Sequence, residues 1–363
     1  MRYVGLEHIV KGDRVLLNSA PSSFSDGTNG MFEPGDILFG KLRPNLRKSV
    51  WVATKGFCST DLLVLRPIEG VEPRFAAHVA SSEVVFNQAE RHSFGTKMPR
   101  TSWRAVAQSV VFVPPLDEQR RIAEILDAID ETIQATERVI AKLTTTRAGL
   151  VDRFLDFEER ASTRLGAVLE RIDGGWSPVC AETPPSGAQW GVLKVSSVTR
   201  ESFKPRESKT LPSALPPRVE LVVRAGDVIT ARANGVADLV GRTAFVESCD
   251  GLNLLLSDKT LRLVPKAELS GRYLTYCMQH EIVRSQIRGM VSGSTGQGNI
   301  TQAEIRSLRI PLPEFADQLC IEAAISAQDR MIYTEKRHIE HLARVRTGLA
   351  ADLLSGRVCT VAS

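Results

Sequence analysis

The chain has 363 residues, of which 43% are hydrophobic and 24% are charged, and its formal net charge is +4. This length favours two or three domains over a single core, and the composition is that of an ordinary soluble globular protein. Because the sequence has neither an apolar run of transmembrane length nor a signal-peptide pattern, we expect a cytoplasmic protein. Any surface for nucleic acid must be local, since the net charge is small.

Residues 1–115 are predicted to form a first α+β domain. Short β-rich runs at Ser49–Ala53 and Leu62–Leu65 alternate with turn residues, and helical patterns occupy Pro73–Glu90. Basic residues cluster ahead of Trp51 and again after Gly95. Lysine and arginine bind phosphates, and arginine can also form a forked pair with guanine. The candidate DNA-binding residues of this domain are Lys41, Arg43, Arg47, Lys48, Lys97 and Arg100.

Residues 116–157 are predicted to form a long helix with an apolar seam. The seam residues follow one another at alternating steps of four and three, which is the 3.5-residue repeat of a coiled coil. At 1.5 Å per residue such a helix is roughly 60 Å long. The polar residues Thr136 and Arg147 interrupt the seam and would fix its register. Its apolar members are Ile122, Leu126, Ile129, Ile133, Ile140, Leu143, Leu150 and Phe154.

Residues 158–312 are predicted to form a second α+β domain, with strands near Thr243–Val246 and Leu261–Val264 and helical pieces within Gly271–Gly289. It carries an additional segment, roughly Leu165–Trp190, so the first domain is expected to be N-terminally short. A glycine-rich loop at 292–299 is not a Walker loop, because no Gly-Lys-Ser/Thr follows. Asparagine and glutamine can pair with adenine edges. The candidate DNA-binding residues are Lys194, Arg232, Asn234, Arg242, Gln297 and Asn299.

Residues 313–357 are predicted to form a second long helix, followed by a tail at 358–363. Its seam residues are Ile321, Ile325, Ile332, Ile339, Leu342, Leu349 and Leu353.

The two long helices are copies of one another. Residues 119–154 align without a gap with residues 318–353, and 11 of these 36 pairs are identical. The repeat continues into the domains, where Gly35-Asp36 corresponds to Gly226-Asp227. Matched seams favour two helices packed on each other as a rod, although each helix could instead pack on its own local core.

No catalytic constellation is recognisable in the sequence. The six cysteines are scattered without a CxxC pair, and the six histidines lie in no nucleophile context. Glu207-Ser208-Lys209 resembles the end of a nuclease motif but lacks a Pro-Asp partner. We therefore expect no catalytic residue and no bound metal.

The chain resembles the specificity subunits of type I restriction–modification systems. The resemblance covers essentially the whole length and depends on four motifs in duplicated order. They are the run 114–122 leading into the first helix, the run 35–44, the loop 292–297 ahead of 310–313, and the ending 348–358. A departure is Phe315-Ala316-Asp317-Gln318, which replaces the Leu-Asp-Glu-Gln form at the start of the second helix.

The resemblance implies an α+β fold with two target-recognition domains held apart by an antiparallel helix pair, a coiled coil with pseudo-two-fold symmetry. It implies a non-catalytic protein that binds double-stranded DNA, each domain reading one half of a bipartite, asymmetric target through the major groove. The helices would dock two methyltransferase subunits, and ATP-dependent restriction subunits could join. S-adenosylmethionine, ATP and Mg are then expected on the partners, with none bound by this chain.

Three alternatives stay open from the sequence. The nearest is the specificity chain of a restriction system whose single partner both methylates and cleaves. A second is a nuclease that uses Glu207 and Lys209. A third is a structural coiled-coil adaptor that does not bind DNA.

Overall fold

The computed structural model describes residues 2–11, 16, 20–21, 30–155, 162–200, 202–292 and 298–360. The chain divides into unit 1, formed by Met1–Ile140 together with Thr334–Ser363, and unit 2, formed by Ala141–Tyr333. Both divisions fall inside a helix of 39 residues. Unit 1 is therefore assembled from two separate stretches of chain, whereas unit 2 is continuous. Within the described ranges, no helix has the length and apolar character needed to cross a membrane.

The described part of unit 1 contains two small sheets. Its strands are β1 (Arg2–Val4), β2 (Ala20–Pro21), β3 (Gly30–Phe32), β4 (Ile37–Gly40), β5 (Ser49–Trp51), β6 (Gly56–Cys58) and β7 (Leu62–Leu65), and its helices are α1 (Pro73–Ala80), α2 (Glu83–Arg91), α3 (Trp103–Val106) and the start of α4 (Leu116–Phe154). One sheet has the order β2-β1-β6-β3, in which β1 and β6 are parallel. The other has the order β5-β4-β7 and is antiparallel.

The described part of unit 2 repeats these sheets and extends them. Its strands are β8 (Ser162–Arg164), β9 (Leu169–Gly174), β10 (Trp190–Leu193), β11 (Ser208–Thr210), β12 (Val228–Ala231), β13 (Ala233–Asn234), β14 (Thr243–Phe245), β15 (Asn253–Leu255), β16 (Thr260–Pro265), β17 (Gly298–Asn299) and β18 (Arg309–Pro311). Its helices are α5 (Leu165–Val168), α6 (Gly271–Gln279), α7 (Glu281–Met290), α8 (Gln302–Ser307) and the start of α9 (Phe315–Leu353). The sheet orders are β11-β10-β15, β14-β12-β16-β9, β13-β17 and β18-β8.

Several strands of unit 1 have counterparts in unit 2. The parallel pair β1 and β6 matches the parallel pair β10 and β15. The central strand β4 lies between β5 and β7 as β12 lies between β14 and β16, and even the register is shared, since Ile37 faces Trp51 as Val228 faces Phe245. Two helices follow each sheet, α1 and α2 in unit 1 and α6 and α7 in unit 2. The α+β class predicted from the sequence is confirmed.

The turn that leads into each central strand shows the repeat at atomic detail. Gly35 and Gly226 both have a φ of +95°, a backbone conformation that residues with a Cβ rarely adopt. The Asp36 carboxylate accepts a hydrogen bond from the Glu33 amide at 2.8 Å, and the Asp227 carboxylate accepts one from the Arg224 amide at 2.9 Å. The Gly-Asp pairs therefore build the same turn twice.

The predicted seam is the least exposed stripe of each long helix. All its apolar members are buried or half-buried, and the fully buried ones lie near helix ends, where a domain core covers them: Ile122, Leu126, Ile321, Ile325 and Leu353. Mid-helix members are only half-buried. Complete burial of such a side chain stabilises the fold by about 1.5–3 kcal/mol.

Each unit holds the beginning of one long helix against the end of the other. In unit 1, the Asp130 carboxylate pairs with Arg346 at 2.7 Å, and the Glu118 carboxylate accepts hydrogen bonds from Thr360. Residue numbers thus rise along one segment as they fall along the other, which is an antiparallel arrangement. In unit 2, Ile321 and Ile325 of α9 share a core with Val151 and Phe154 of α4.

Candidate nucleic-acid interface

Four of the six basic candidates in unit 1 meet on one short ribbon of paired strands. The Arg43 amide donates to the Pro99 carbonyl at 2.7 Å, and the Thr101 amide donates to the Lys41 carbonyl at 2.9 Å. The second strand folds back on itself, since Phe94 and Arg100 exchange two backbone hydrogen bonds of 2.9 Å. We call this set ribbon 1. It comprises residues 41–43, 94 and 99–101, and the hairpin between 94 and 99 carries Lys97.

Unit 2 builds the same ribbon. In β13 and β17, Ala233 faces Asn299 and Asn234 faces Gly298, while the Ile300 amide donates to the Arg232 carbonyl at 3.0 Å. Ser292 and Asn299 exchange two backbone hydrogen bonds, as Phe94 and Arg100 do. We call this set ribbon 2, formed by residues 232–234, 292 and 298–300. Lys41, Arg43 and Arg100 therefore occupy the same places as Arg232, Asn234 and Asn299.

Ribbon 1 carries three basic side chains, of which Arg43 and Arg100 are exposed and Lys41 is half-buried. Arg43 reaches only the Lys97 carbonyl, at 3.5 Å, and neither it nor Lys97 forms an ion pair within the described ranges. Arg100 instead pairs with Asp61 at 3.1 Å. The large apolar side chains of Phe94, Met98 and Trp103 are also exposed in this part of the chain. Ribbon 1 thus offers donors beside apolar surface.

Ribbon 2 carries two neutral amides, Asn234 and Asn299, and one arginine. The Asn234 Oδ1 accepts a hydrogen bond from the Val236 amide at 2.9 Å, and the Asn299 Oδ1 is buried without a partner among the residues described. Arg232 is exposed, whereas Arg242 pairs with Asp238 at 3.1 Å. Gln297, also predicted as a contact, lies outside the described residues. The two ribbons share a backbone and differ in side-chain chemistry.

The remaining candidates bind other parts of the protein. The Arg47 guanidinium pairs with the Glu83 carboxylate of α2, which raises the pKa of Arg47 and lowers that of Glu83. The Lys48 Nζ donates to the Leu6 carbonyl at 2.6 Å, and the Lys194 Nζ donates to the Glu182 carbonyl at 2.9 Å. These three cations lie in basic stretches of sequence, yet protein groups already bind their charges.

A buried glutamine anchors the start of each long helix. The Gln119 Oε1 accepts from the Glu72 amide at 2.9 Å, and its Nε2 donates to the carbonyls of Gly70 and Pro114 at 3.2 and 2.8 Å. Gln318 repeats all three contacts, accepting from the Ser270 amide at 2.9 Å and donating to Glu268 and Pro313 at 2.9 and 3.0 Å.

Each anchor therefore ties the start of a long helix to the start of the short helix α1 or α6. The two side chains are 1% and 0% exposed. The sequence did offer a signal, because Gln119 and Gln318 are identical in the two copies of the helix. A polar residue that faces solvent would be expected to differ between the copies.

Two reciprocal ion pairs join the helix segments within the units. Asp130 pairs with Arg346 in unit 1, and Asp329 pairs with Arg147 in unit 2. The four residues belong to two identical pairs of the repeat, so each arginine of one copy binds the aspartate of the other copy. The polar seam residues Arg147 and Arg346 predicted from the sequence thus have carboxylate partners.

Beside one of these pairs lies a cluster with the composition of a metal site. The ligand atoms of His78, Asp127 and Asp130 lie within 4.8 Å of one another. Burial tends to raise the pKa of the Asp127 carboxyl, but hydrogen bonds from His78 and Arg74 outweigh it and leave that pKa lowered. Because Arg74 and Arg346 already neutralise both carboxylates, the arrangement is an ion-pair network.

The nuclease alternative finds no support in the geometry. Lys209 pairs with Glu182 at 2.6 Å, whereas the Glu207 carboxylate accepts a hydrogen bond from Ser196 at 2.7 Å. The two residues of the supposed motif therefore bind different partners.

Comparison with known proteins finds similarity to one group of proteins. The family described as "Type I restriction modification DNA specificity domain" matches residues 35–145. The type I restriction enzyme EcoEI specificity subunit of Escherichia coli is 34% identical over 165 residues, 45% of this chain and 27% of that one. The EcoKI specificity subunit of Escherichia coli K12 is 22% identical over 272 residues, 70% of this chain and 58% of that one. The chain thus spans between about a quarter and about three fifths of the length of these two relatives.

A solved structure supports the fold over nearly the whole length. The type I restriction–modification system S subunit from M. genitalium matches with a TM-score of 0.61 at 14% identity, covering 97% of this chain and 88% of that one. The repeated domains, the long helices and the sequence matches agree. Residues 35–145 thus match a type I restriction–modification specificity domain, and the chain is similar to the specificity subunits of such systems.

Proposed function

We propose that this protein is the non-catalytic DNA-specificity subunit of a type I restriction–modification complex, in which each unit reads one half of a bipartite target. The observation that carries the proposal is the paired ribbon, built once in each unit on the same backbone with different side chains. Two reading elements of one design account for a bipartite target. Their different chemistry accounts for an asymmetric one.

The dimensions of a ribbon suit the major groove of DNA. That groove is about 12 Å wide and admits a two-stranded β-ribbon, and it displays a distinct set of donors and acceptors for each base pair. The exposed cations Lys97 and Arg232 and the half-buried Lys41 are available for phosphates, which position a protein on the duplex without reading sequence. A ribbon therefore provides both kinds of contact that sequence recognition needs.

The repeated helices are proposed to dock two methyltransferase subunits. The same anchor, at Gln119 and Gln318, and the same ion pairs, at Asp130 and Asp329, recur in the two units, which supports two equivalent binding faces for one kind of partner. S-adenosylmethionine would bind to those subunits, which would flip the target adenine out of the duplex before methylating it. Restriction subunits that use ATP and Mg would join the same complex.

Methylation assays with purified components test this proposal. Plasmid DNA is incubated with S-adenosylmethionine and the chain alone, the cognate methyltransferase subunits alone, or both together, and modified adenines are mapped by sequencing. Only the mixture is expected to modify DNA, at a single bipartite asymmetric motif. Methylation or cleavage by the chain alone contradicts the proposal, as does an unchanged pattern when the chain is left out.

A further inference from the structure

The structural match of the two ribbons puts one pair of residues in direct correspondence. Backbone hydrogen bonds from Lys41 to Asp61 and from Arg232 to Lys259, both 2.8 Å, fix the preceding positions of the two strands as equivalent. Two residues later, Arg43 faces Pro99 and Asn234 faces Gly298. Arg43 and Asn234 therefore occupy the same position of ribbons 1 and 2, at an offset that differs from that of the helices.

We infer that this position selects a base in each half of the target, with Arg43 choosing guanine and Asn234 choosing adenine. The inference rests on the proposed function and names the residues that carry it out. The two residues lie at the same offset as Gly35 and Gly226, and the hydrogen bonds of the ribbons show that this correspondence continues to them.

The first support is the composition of the cross-strand pair. Proline and glycine stand opposite Arg43 and Asn234, and neither has a side chain that donates or accepts a hydrogen bond. Arg43 or Asn234 is consequently the only group of its cross-strand pair that can recognise a base edge. Both residues also end their strand of the ribbon, since the chain turns away at Pro44 and Gly235.

The second support is that two neighbouring arginines already have partners. Arg100 is held by Asp61, and Arg242 by Asp238. The first residue of the strand is a cation in both ribbons, Lys41 and Arg232. This suits a phosphate contact common to both half-sites. Position 43/234 instead changes from a charged fork to a neutral amide, and a difference of that kind is what two different half-sites require.

The third support is the backbone of Arg43. Its φ of +50° lies in the left-handed region, where residues with a Cβ are uncommon. Such conformations cluster at binding sites, where the surrounding structure holds them in place. Here the backbone hydrogen bond to Pro99 and the following Pro44 fix the conformation and direct the start of the guanidinium side chain.

The chemistry then decides the base. Guanine presents two acceptors in the major groove, O6 and N7, which match an arginine fork that only donates. Adenine presents the acceptor N7 and the N6 amino donor, which match a carboxamide that both donates and accepts. The Asn234 Oδ1 keeps one lone pair free after accepting from Val236.

Reciprocal substitutions test the inference. Complexes of the methyltransferase with the wild-type chain, Arg43→Asn or Asn234→Arg select duplexes from a random library, and the bound DNA is sequenced. Arg43→Asn should change one guanine to adenine in one half-site, and Asn234→Arg should change one adenine to guanine in the other. Discrimination at that base should shift by roughly 5- to 100-fold.

A matched control lies outside both ribbons. Arg91→Asn makes the same exchange as Arg43→Asn at an exposed residue of α2 and should leave both half-sites unchanged. If a reciprocal variant does not bind, Arg43→Lys, which keeps the charge without the fork, and Asn234→Asp, which keeps the acceptor for Val236, replace it. Each should weaken the preference at one base.

Unchanged base preferences in the binding-competent variants, beside a clear wild-type motif, overturn the inference and leave the proposed function standing. Changes at the same half-site for both residues overturn it as well. A wild-type complex that selects no motif instead contradicts the proposed function itself.

Discussion

The loop after the first strand of each ribbon forms ion pairs with the second short helix of its unit, α2 or α7. The signs of the charges are reversed between the two units. In unit 1 the loop supplies the cation Arg47, which pairs with the carboxylates of Glu83 and Glu90 on α2. In unit 2 the loop supplies the anion Asp238, which pairs with Arg284 and Arg288 on α7. The fold requires a complementary pair at this junction and does not specify which side carries which sign.

The helix anchors behave in the opposite way. Gln119 and Gln318 are the same residue with the same three partners, although the domains around them differ. A carboxamide that must donate to two carbonyls and accept from one amide has few substitutes. Contacts that position the scaffold are thus identical in the two units, and contacts near the ribbons are free to differ.

The largest expected effect comes from breaking this identity. Gln119→Ala and Gln318→Ala each remove a buried side chain and its three hydrogen bonds to largely part-buried backbone groups, which should lower the free energy of unfolding by roughly 2–4 kcal/mol. Urea unfolding measures the total loss. Hydrogen exchange should show α1 opening in the first variant and α6 in the second. Gln108→Ala, at an exposed glutamine, is the control. If only one of the two anchor variants lost stability, the anchors would not be equivalent.

A smaller effect is expected from the reciprocal ion pairs. Double-mutant cycles on Asp130 with Arg346 and on Asp329 with Arg147 should each give a coupling energy of about 1 kcal/mol. The first should be the larger, because the Asp130 side chain is 24% exposed and that of Asp329 is 41% exposed. Thermal and urea unfolding of the single and double variants provide the cycles. Zero coupling in both would mean that these pairs do not fix the helix register.

The smallest effect concerns acid stability and distinguishes the two Gly-Asp turns. In unit 1 the hydrogen bond from Arg66 lowers the pKa of the buried Asp36 carboxyl below its ordinary value of 3.8, against the opposing effect of burial. In unit 2 the arginine comes from another position of the matching strand, and Arg262 reaches both Asp173 and Asp227.

Since the unfolded chain binds a proton on Asp36 more readily than the folded chain, this contribution to stability is present above pH 3.8 and is lost as the pH falls through the lower folded-state pKa. Asp36→Asn should therefore flatten the decline of the unfolding free energy in that window, and Arg66→Gln should flatten it equally. Urea midpoints measured through the window test this. A decline as steep as that of the wild type in both variants would contradict it.

The sequence predicted the parts of the fold that depend on local pattern. The 3.5-residue seam predicted both long helices, and alternating apolar residues between turn signals predicted strands such as β7 and β16. The matching Gly-Asp pairs predicted that the repeat extends into the domains, and the structure gives both pairs the same turn, in which glycine supplies the positive φ and aspartate accepts a backbone hydrogen bond. The domain bounds and the DNA contacts remain predictions.

The ribbons and the state of the basic side chains could not be predicted in the same way. Residues 41–43 pair with residues 99–101, and the strands β5 to β7 and the helices α1 and α2 separate them in the sequence. No local sequence pattern indicates that pairing. Arg43 and Arg47 look alike in the sequence, yet only the fold brings Glu83 to Arg47 and leaves Arg43 without an ion pair in the part described. Because the loops differ in length between the units, the first strands of the ribbons (41–43 and 232–234) match at one offset and the second strands (99–101 and 298–300) at another.

The division of the chain inside its long helices has a consequence for the order of folding during synthesis. Unit 2 is one continuous stretch and can form as soon as residue 333 has left the ribosome. Unit 1 must wait, because Ile122 and Leu126 are covered by a cluster that includes Leu349 and Leu353. The half of the protein that is translated first is therefore completed last, and its apolar helix surface stays open until the final residues arrive.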